Sequence, residues 1–216
     1  MAIAAIAGRS PVVDEISERA PDLVSAGGSR TWSTCGRNFV VAVTELEAGD
    51  RLTEHDLPDE YVLLVQTDTV VGVEHEIRIH RLRDIPDEEG RLGRIFRTTS
   101  LMVNWFPVHE GPRDTERLSP HSHEDFEQMS VTLVGDHAHH LRVPWTARMS
   151  EWRDDEHVRV GSPSMTLIPP TVVHTTRAVG AGPHTLVDVF APPREDFLAK
   201  GWVLNAGDYQ NQEARA

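Results

Sequence analysis

One stretch of the chain, residues 120–135, constrains the fold more than any other. It contains two histidines separated by one residue, His121 and His123, and continues through residues 128–133, where polar and apolar side chains alternate. Alternation with a period of two predicts a β-strand with one polar and one apolar face. Side chains two apart in an extended segment point the same way, so both imidazoles can reach one ion. The stretch therefore predicts a strand that carries a metal site into a polar cavity. The alternative is a half-buried strand with its polar face in solvent.

A third histidine completes a plausible set of ligands. His174 follows a pair of prolines about forty residues later in the chain. Imidazole nitrogen suits Zn, Cu, Fe and Ni, and a site with few protein ligands leaves coordination positions for a substrate. His139 and His140, from a second H-x-H grouping, are alternatives that could reach the same cavity. With twelve histidines in the chain, some such pairs also arise by chance.

These residues resemble the first motif of the cupin superfamily, G-x5-H-x-H-x3-4-E-x6-G. His121 and His123 match its two histidines, and a spacing of four then places Gln128 where the family has glutamate. Six further residues lead from Gln128 to Gly135, the closing glycine of the motif. The shorter spacing selects Glu127 instead, but its closing glycine would then fall on a valine. The resemblance thus implies Gln128 as the oxygen ligand, with Glu127 as the alternative.

The second cupin motif, G-x5-P-x-G-x2-H-x3-N, is matched more loosely. Pro169 and His174 keep its spacing, whereas Thr171 stands where the family prefers glycine and Ala178 replaces the asparagine. The resemblance covers residues 94–192. It implies an all-β chain with a cupin-type double-stranded β-helix (jelly roll) barrel, a short N-terminal helix and extra N-terminal strands. It also implies a divalent ion, Fe, Mn, Ni or Zn, held by His121, His123, Gln128 and His174.

The sequence outside this barrel divides into further segments. Ser10 as a cap and Pro11 at the first helical position predict a short helix that ends before Pro21, within an N-terminal helical extension of residues 1–28. Residues 29–83 resemble a degenerate partial cupin repeat that contributes strands, in which Glu60 matches Gln128 and His55 matches His123. Residues 84–93 form a loop, and residues 193–216 are a C-terminal extension. An insertion over residues 145–157 is expected to form either a lid or a surface loop.

Charge and cysteine content limit the partners. A formal net charge of −13 argues against nucleic acid and anionic membranes, which both require cationic surfaces. The single cysteine, Cys35, allows no internal disulfide and is compatible with a reducing cytoplasm. The first residues lack the pattern of a secretory signal, and no apolar run is long enough to span a bilayer. We expect a homodimer, because the apolar face of the strand that carries Gln128 and the extra N-terminal strands need a partner surface.

The proposed ligands predict the chemistry. Three neutral imidazoles and a neutral amide leave a divalent ion its full charge, which favours a small anionic organic substrate. The sequence therefore predicts a metal-dependent cupin enzyme with dioxygenase or isomerase and decarboxylase type chemistry. Glu127 is a candidate general base, and Arg142 a candidate partner for an anionic substrate group. The alternatives are a non-catalytic cupin that binds a metal or small molecule, and a purely structural metal.

Overall fold

The chain is built almost entirely of short antiparallel strands. A computed structural model describes residues 10–51, 60–65, 68–73 and 76–209. Its sixteen strands are β1 (Val12–Glu15), β2 (Leu23–Val24), β3 (Arg30–Cys35), β4 (Val40–Glu45), β5 (Glu60–Val65), β6 (Asp68–Val73), β7 (Glu76–Arg81), β8 (Arg94–Arg97), β9 (Met102–Trp105), β10 (His109–Glu110), β11 (Glu127–Val134), β12 (His137–Arg142), β13 (Glu156–Val160), β14 (Ser164–Ile168), β15 (Val173–Ala178) and β16 (Pro183–Ala191). Helix α1 (Glu195–Ala199) is the single α-helix in these ranges. No helix in the described part of the chain is long and apolar enough to cross a membrane. The all-β prediction is confirmed.

The strands belong to two compact units. The first comprises Met1–Leu52 and Val108–Val187, and the second comprises Thr53–Pro107 and Asp188–Ala216. These boundaries differ from the segment boundaries predicted from the sequence, which lie at residues 28, 83, 94 and 192. Descent of residues 29–83 from a second cupin repeat stays a prediction, since His55 lies outside the described residues.

The first unit contains three sheets. One has the order β1-β14-β11-β16, with the short strand β10 also paired to β16. The second has the order β13-β12-β15, and the third is the N-terminal sheet β2-β3-β4. The extra N-terminal strands expected from the sequence are therefore present.

The first two of these sheets face each other. Ile168 lies opposite Gln128 in the β11–β14 ladder, and Leu141 lies opposite His174 in the β12–β15 ladder. Ile168 and Leu141 pack together in one buried cluster with Val172. Residues directly opposite each other in a ladder share a face of the sheet, so Gln128 and His174 lie on the two faces that meet. We call the space between these faces the barrel interior.

Both faces of β11 are buried. Gln128, Ser130 and Thr132, which alternate along one face, are 4%, 1% and 0% exposed, and Met129 and Val131 on the other are 0% and 3% exposed. The polar face therefore lines the barrel interior, and the alternative of a polar face in solvent is wrong. The chain itself covers the apolar face, so that face no longer supports a homodimer, which stays a prediction.

The N-terminal helix predicted between Ser10 and Pro21 is not found. Val12–Glu15 instead form strand β1, which pairs with β14, and only a 3-10 turn follows at Ile16–Glu18. The two valines are β-branched and suit a strand, and Val13 packs against the Leu141 cluster of the barrel interior. Burial in a long-range ladder outweighed the local capping signal.

The second unit has its own small sheet and hairpin. Strands β5, β6 and β7 form one sheet, and β8 pairs with β9. Asn205 links the C-terminal part of this unit to the end of β8. Its side-chain carbonyl accepts a hydrogen bond from the Arg97 N–H, and its amide donates to the Arg97 carbonyl. Among its described residues, this unit contains no group of three or more histidines, cysteines and acids close enough to hold a metal ion together.

The turn before His174 has a left-handed backbone. Thr171 has a φ of 72°, the only non-glycine residue with positive φ in the described ranges. A β-branched side chain is strained in this region. The residue that departs from the cupin motif therefore occupies the conformation for which the motif uses glycine.

Replacing Thr171 by glycine should relieve this strain. We expect Thr171→Gly to raise the free energy of unfolding by about 1 kcal/mol, the difference between left-handed strain and the added flexibility of glycine. Urea unfolding followed by tryptophan fluorescence measures it. Thr115→Gly, at an exposed position without positive φ, is the control and should lose about 0.5–1 kcal/mol. Equal losses in both variants would contradict strain at Thr171.

Candidate metal centre

Three histidines of the first unit converge. One ring nitrogen from each of His121, His123 and His174 lies within 4.8 Å of the others. The ring centroids are 5.2 Å apart for His121 and His123, 4.5 Å for His121 and His174, and 4.7 Å for His123 and His174. His121 is exposed, while the other two are buried. The cluster therefore lies at the rim of the first unit, with one side toward solvent.

Backbone hydrogen bonds hold the cluster together. His121 and His174 form an antiparallel bridge in which each N–H donates to the other's carbonyl, at 3.0 and 2.8 Å. The Thr171 N–H donates to the His123 carbonyl at 2.6 Å. The histidine pair is thus not part of a regular strand, because β11 begins only at Glu127. Main-chain pairing with the segment around His174 replaces the strand geometry expected from the sequence.

Backbone carbonyls also fix the tautomer of two imidazoles. Nδ1 of His121 lies 2.8 Å from the Ser119 carbonyl, and Nδ1 of His174 lies 3.0 Å from the Val172 carbonyl. A carbonyl oxygen can only accept, so each Nδ1 carries the proton. Nε2 of each ring then has the lone pair that a cation requires.

The cluster fits a small divalent ion. Imidazole–metal bonds are about 2.0–2.1 Å long, so two nitrogens on one ion lie no more than about 4.2 Å apart. The observed separations of the three nitrogens, all within 4.8 Å, lie close to this limit. Among the described histidines, cysteines and acids, no fourth residue joins the group.

The two candidates for the oxygen ligand have different surroundings. Gln128 faces the barrel interior, and its amide nitrogen donates to Ser130 Oγ at 3.0 Å, a bond that does not use its carbonyl oxygen. Glu127 is on the opposite face of β11, where its Oε1 accepts from the Asn38 N–H at 2.6 Å. A side chain at Gly36 would come within 2.7 Å of the same oxygen. Glu127 therefore anchors the turn between β3 and β4.

The alternative histidines lie outside the cluster. His139 is fully buried in the barrel interior, and its Nδ1 is 2.9 Å from Thr176 Oγ1. Burial lowers the pKa of His139 to about 3, and burial together with the nearby His184 lowers the pKa of His137 to about 4. Both rings are therefore neutral near pH 7. His140 is on the other face of β12, with its Nδ1 2.8 Å from Nδ1 of His157.

Arg142 and the insertion lie at the end of β12 that carries Leu141, the partner of His174. Arg142 is exposed and pairs with Asp155, with Nε 2.9 Å from Oδ1. A role for Arg142 in holding an anionic substrate stays a prediction. In the insertion, Trp145 and Trp152 stack with centroids 4.5 Å apart and stay 73% and 40% exposed. A lid formed by this segment likewise stays a prediction.

Two polar residues of the barrel interior were not predicted from the sequence. Ser164 and Thr166 of β14 lie opposite Thr132 and Ser130, and both are fully buried on the interior face. Their alternation with Met165 and Leu167 repeats the pattern of β11 and could have identified them. The backbone carbonyls that fix the histidine tautomers leave no sequence signal.

Comparisons with known proteins find similarity only among solved structures. No protein-family model matches the chain, and no curated protein matches it. KdgF from Halomonas sp. is 18% identical over 53% of this chain and 93% of its own, with a TM-score of 0.41. A Klebsiella pneumoniae protein with a double-stranded β-helix domain is 18% identical over 54% and 91%, with a TM-score of 0.38. The 11S globulin of Wrightia tinctoria is 14% identical over 44% and 21%, with a TM-score of 0.35.

The strand order of the first unit carries the assignment of the fold. Two antiparallel sheets face each other, and the histidines of both cupin motifs meet at one rim of the interior between them. The chain has the cupin-type double-stranded β-helix fold.

Proposed function

We propose that the chain is a metal-dependent enzyme that acts on a small anionic organic substrate. The observation that carries this proposal is the convergence of His121, His123 and His174. The tautomers of His121 and His174 are fixed so that Nε2 can bind a cation. A divalent ion, Fe, Mn, Ni or Zn, suits these nitrogens, with Gln128 as the oxygen ligand. When bound, it would polarise a carboxylate or carbonyl group of the substrate.

The neutrality of the surrounding residues supports an anionic substrate. Three imidazoles and an amide remove none of the charge of a divalent ion, whereas the glutamate of the cupin motif would remove one unit. Glu127 does not restore that charge, because it lies on the other face of β11 against Asn38. The exposed ring of His121 leaves one side of the site accessible to a substrate.

We further infer a homodimer in the reducing cytoplasm. Cys35 is a free thiol, which suits a reducing compartment. Leu23 and Val40 on the β2-β3-β4 sheet are each 59% exposed, and such apolar residues favour a partner surface.

Removing two imidazoles should remove the metal. We expect His121→Ala with His123→Ala to abolish stoichiometric metal, measured by elemental analysis of protein purified without added metal. The matched control is His140→Ala with His157→Ala, a neighbouring pair outside the cluster, which should keep the wild-type metal content. Unchanged metal in the first variant would contradict the proposed site.

Substitutions of Gln128 and Glu127 should have different effects, because Gln128 is the proposed metal ligand and Glu127 holds the turn between β3 and β4. We expect Gln128→Ala to weaken metal binding at least about tenfold, the effect of about 1.4 kcal/mol of lost ligation. Glu127→Ala should keep metal affinity but lose about 1–3 kcal/mol of stability, because the Asn38 N–H loses its acceptor. Competition with a fluorescent chelator and urea unfolding measure the two effects. A larger loss of metal affinity in Glu127→Ala would reverse the assignment.

Turnover distinguishes an enzyme from a non-catalytic binder. We expect the metal-loaded protein to convert at least one acid from a panel of 2-oxo and 2-hydroxy acids, followed by proton NMR, and the His121→Ala with His123→Ala variant to be inactive. Conversion only in air would indicate a dioxygenase, and conversion without O₂ an isomerase or decarboxylase. Binding of these acids without conversion would favour the non-catalytic alternative.

A further inference from the structure

A group of polar side chains lines the barrel interior below the histidine cluster. We call it the inner strip, and it consists of Ser130, Thr132, His139, Ser164 and Thr166. None of the five is more than 1% exposed.

The inner strip is continuous across facing strands. Ser130 lies opposite Thr166 and Thr132 lies opposite Ser164 in the β11–β14 ladder, so these four hydroxyls share the face that carries Gln128. His139 belongs to the facing sheet, on the face that carries Leu141 and His174. The contact between Ile168 and Leu141 brings these two faces together.

The position of the inner strip relates it to the candidate metal centre. In β11, Ser130 and Thr132 follow Gln128 by two and four residues. In β12, His139 precedes Leu141 by two residues. Two residues of a strand span about 6.5–7 Å, so the strip begins one such step below the rim. A small molecule bound at the cluster could extend into it.

Four atoms of the inner strip have unused hydrogen-bonding capacity. Thr132 Oγ1, Ser164 Oγ, Thr166 Oγ1 and Nε2 of His139 have no hydrogen-bond partner among the described residues. A buried polar group without a partner is destabilising, and an apolar residue of the same shape avoids that cost. Four such atoms around one interior therefore lower the stability of the protein, so a contribution to folding does not explain their presence. They fit a ligand that supplies hydroxyl groups.

The inner strip contains no acid, lysine or arginine. Its hydroxyls and its imidazole can donate or accept hydrogen bonds, but they cannot neutralise a charge. The part of a ligand that enters the strip is therefore uncharged and rich in hydroxyls, while an anionic group belongs at the metal.

We propose that the inner strip binds the hydroxylated tail of a small carboxylic acid whose carboxylate lies at the histidine cluster. The inference rests on the proposed function and makes its substrate class specific: hydroxylated acids rather than their deoxy counterparts. Thr132 and Thr166 are specificity-determining residues in this proposal.

Matched pairs of acids test the proposal. Wild-type protein loaded with Zn²⁺, which has no redox chemistry, is titrated calorimetrically with tartrate against succinate and with gluconate against hexanoate. We expect the hydroxylated member of at least one pair to bind at least about tenfold more tightly, as expected for two or more new hydrogen bonds. Thr132→Val with Thr166→Val, which replaces each hydroxyl by a methyl group, should lose this preference and keep the affinity for the deoxy acid.

The matched control is Thr175→Val. Thr175 is buried and its Oγ1 also has no partner among the described residues, but it lies next to His174 on the opposite face of β15. This variant should keep the tenfold preference. Thermal unfolding and zinc content of all variants show whether they are folded and loaded.

The outcomes separate this inference from the proposed function. A zinc-loaded wild type without a preference in either pair overturns the inference and leaves the metal centre intact. A preference that survives in the double valine variant also overturns it. A wild type that takes up no metal overturns the proposed function, and the inference with it.

Discussion

The antiparallel bridge between His121 and His174 is the interaction on which the candidate site depends. Two backbone hydrogen bonds join segments that are fifty-three residues apart and bring imidazoles from both cupin motifs to one point. The bond from Thr171 to the His123 carbonyl fixes the third ring beside them. Main-chain pairing of this kind positions ligands without using the side chains that must bind the ion. The left-handed backbone at Thr171 is part of the same turn, which places local strain next to the candidate site.

The barrel interior combines a candidate metal centre at its rim with an inner strip of polar residues below. Strand β11 carries the proposed oxygen ligand, Gln128, on the same face as Ser130 and Thr132 of the inner strip. Its other face is apolar and buried, and Glu127 ties that face to the turn at Asn38. A single strand thus separates the polar interior from the apolar packing on its other face. Burial keeps the imidazoles of His137 and His139 neutral, so the interior adds no positive charge to that of a bound cation.

The sequence predicted the parts of the site that depend on local spacing. The positions of His121, His123 and His174 and the polar parity of Gln128 followed from motif spacing and a period of two. Ligation by Gln128 rather than Glu127 stays a prediction, and the contact of Glu127 with Asn38, eighty-nine residues away, favours it. The N-terminal prediction was wrong for a related reason. Ser10 and Pro11 are local helix signals, whereas strand β1 is stabilised by pairing with β14 far along the chain.

By itself the sequence determined which side chains could bind a metal and which face of β11 is polar, because both follow from residue type and the alternation of side chains in extended backbone. Only the tertiary structure decided that the polar face is enclosed, that three imidazoles meet at one rim, and that backbone carbonyls set the tautomers of two of them. It also decided that four buried polar atoms in the inner strip have no hydrogen-bond partner within the described part of the chain. These features depend on pairing between distant segments, and hydrogen bonds to main-chain carbonyls are the same for every residue type, so no pattern of side chains encodes them.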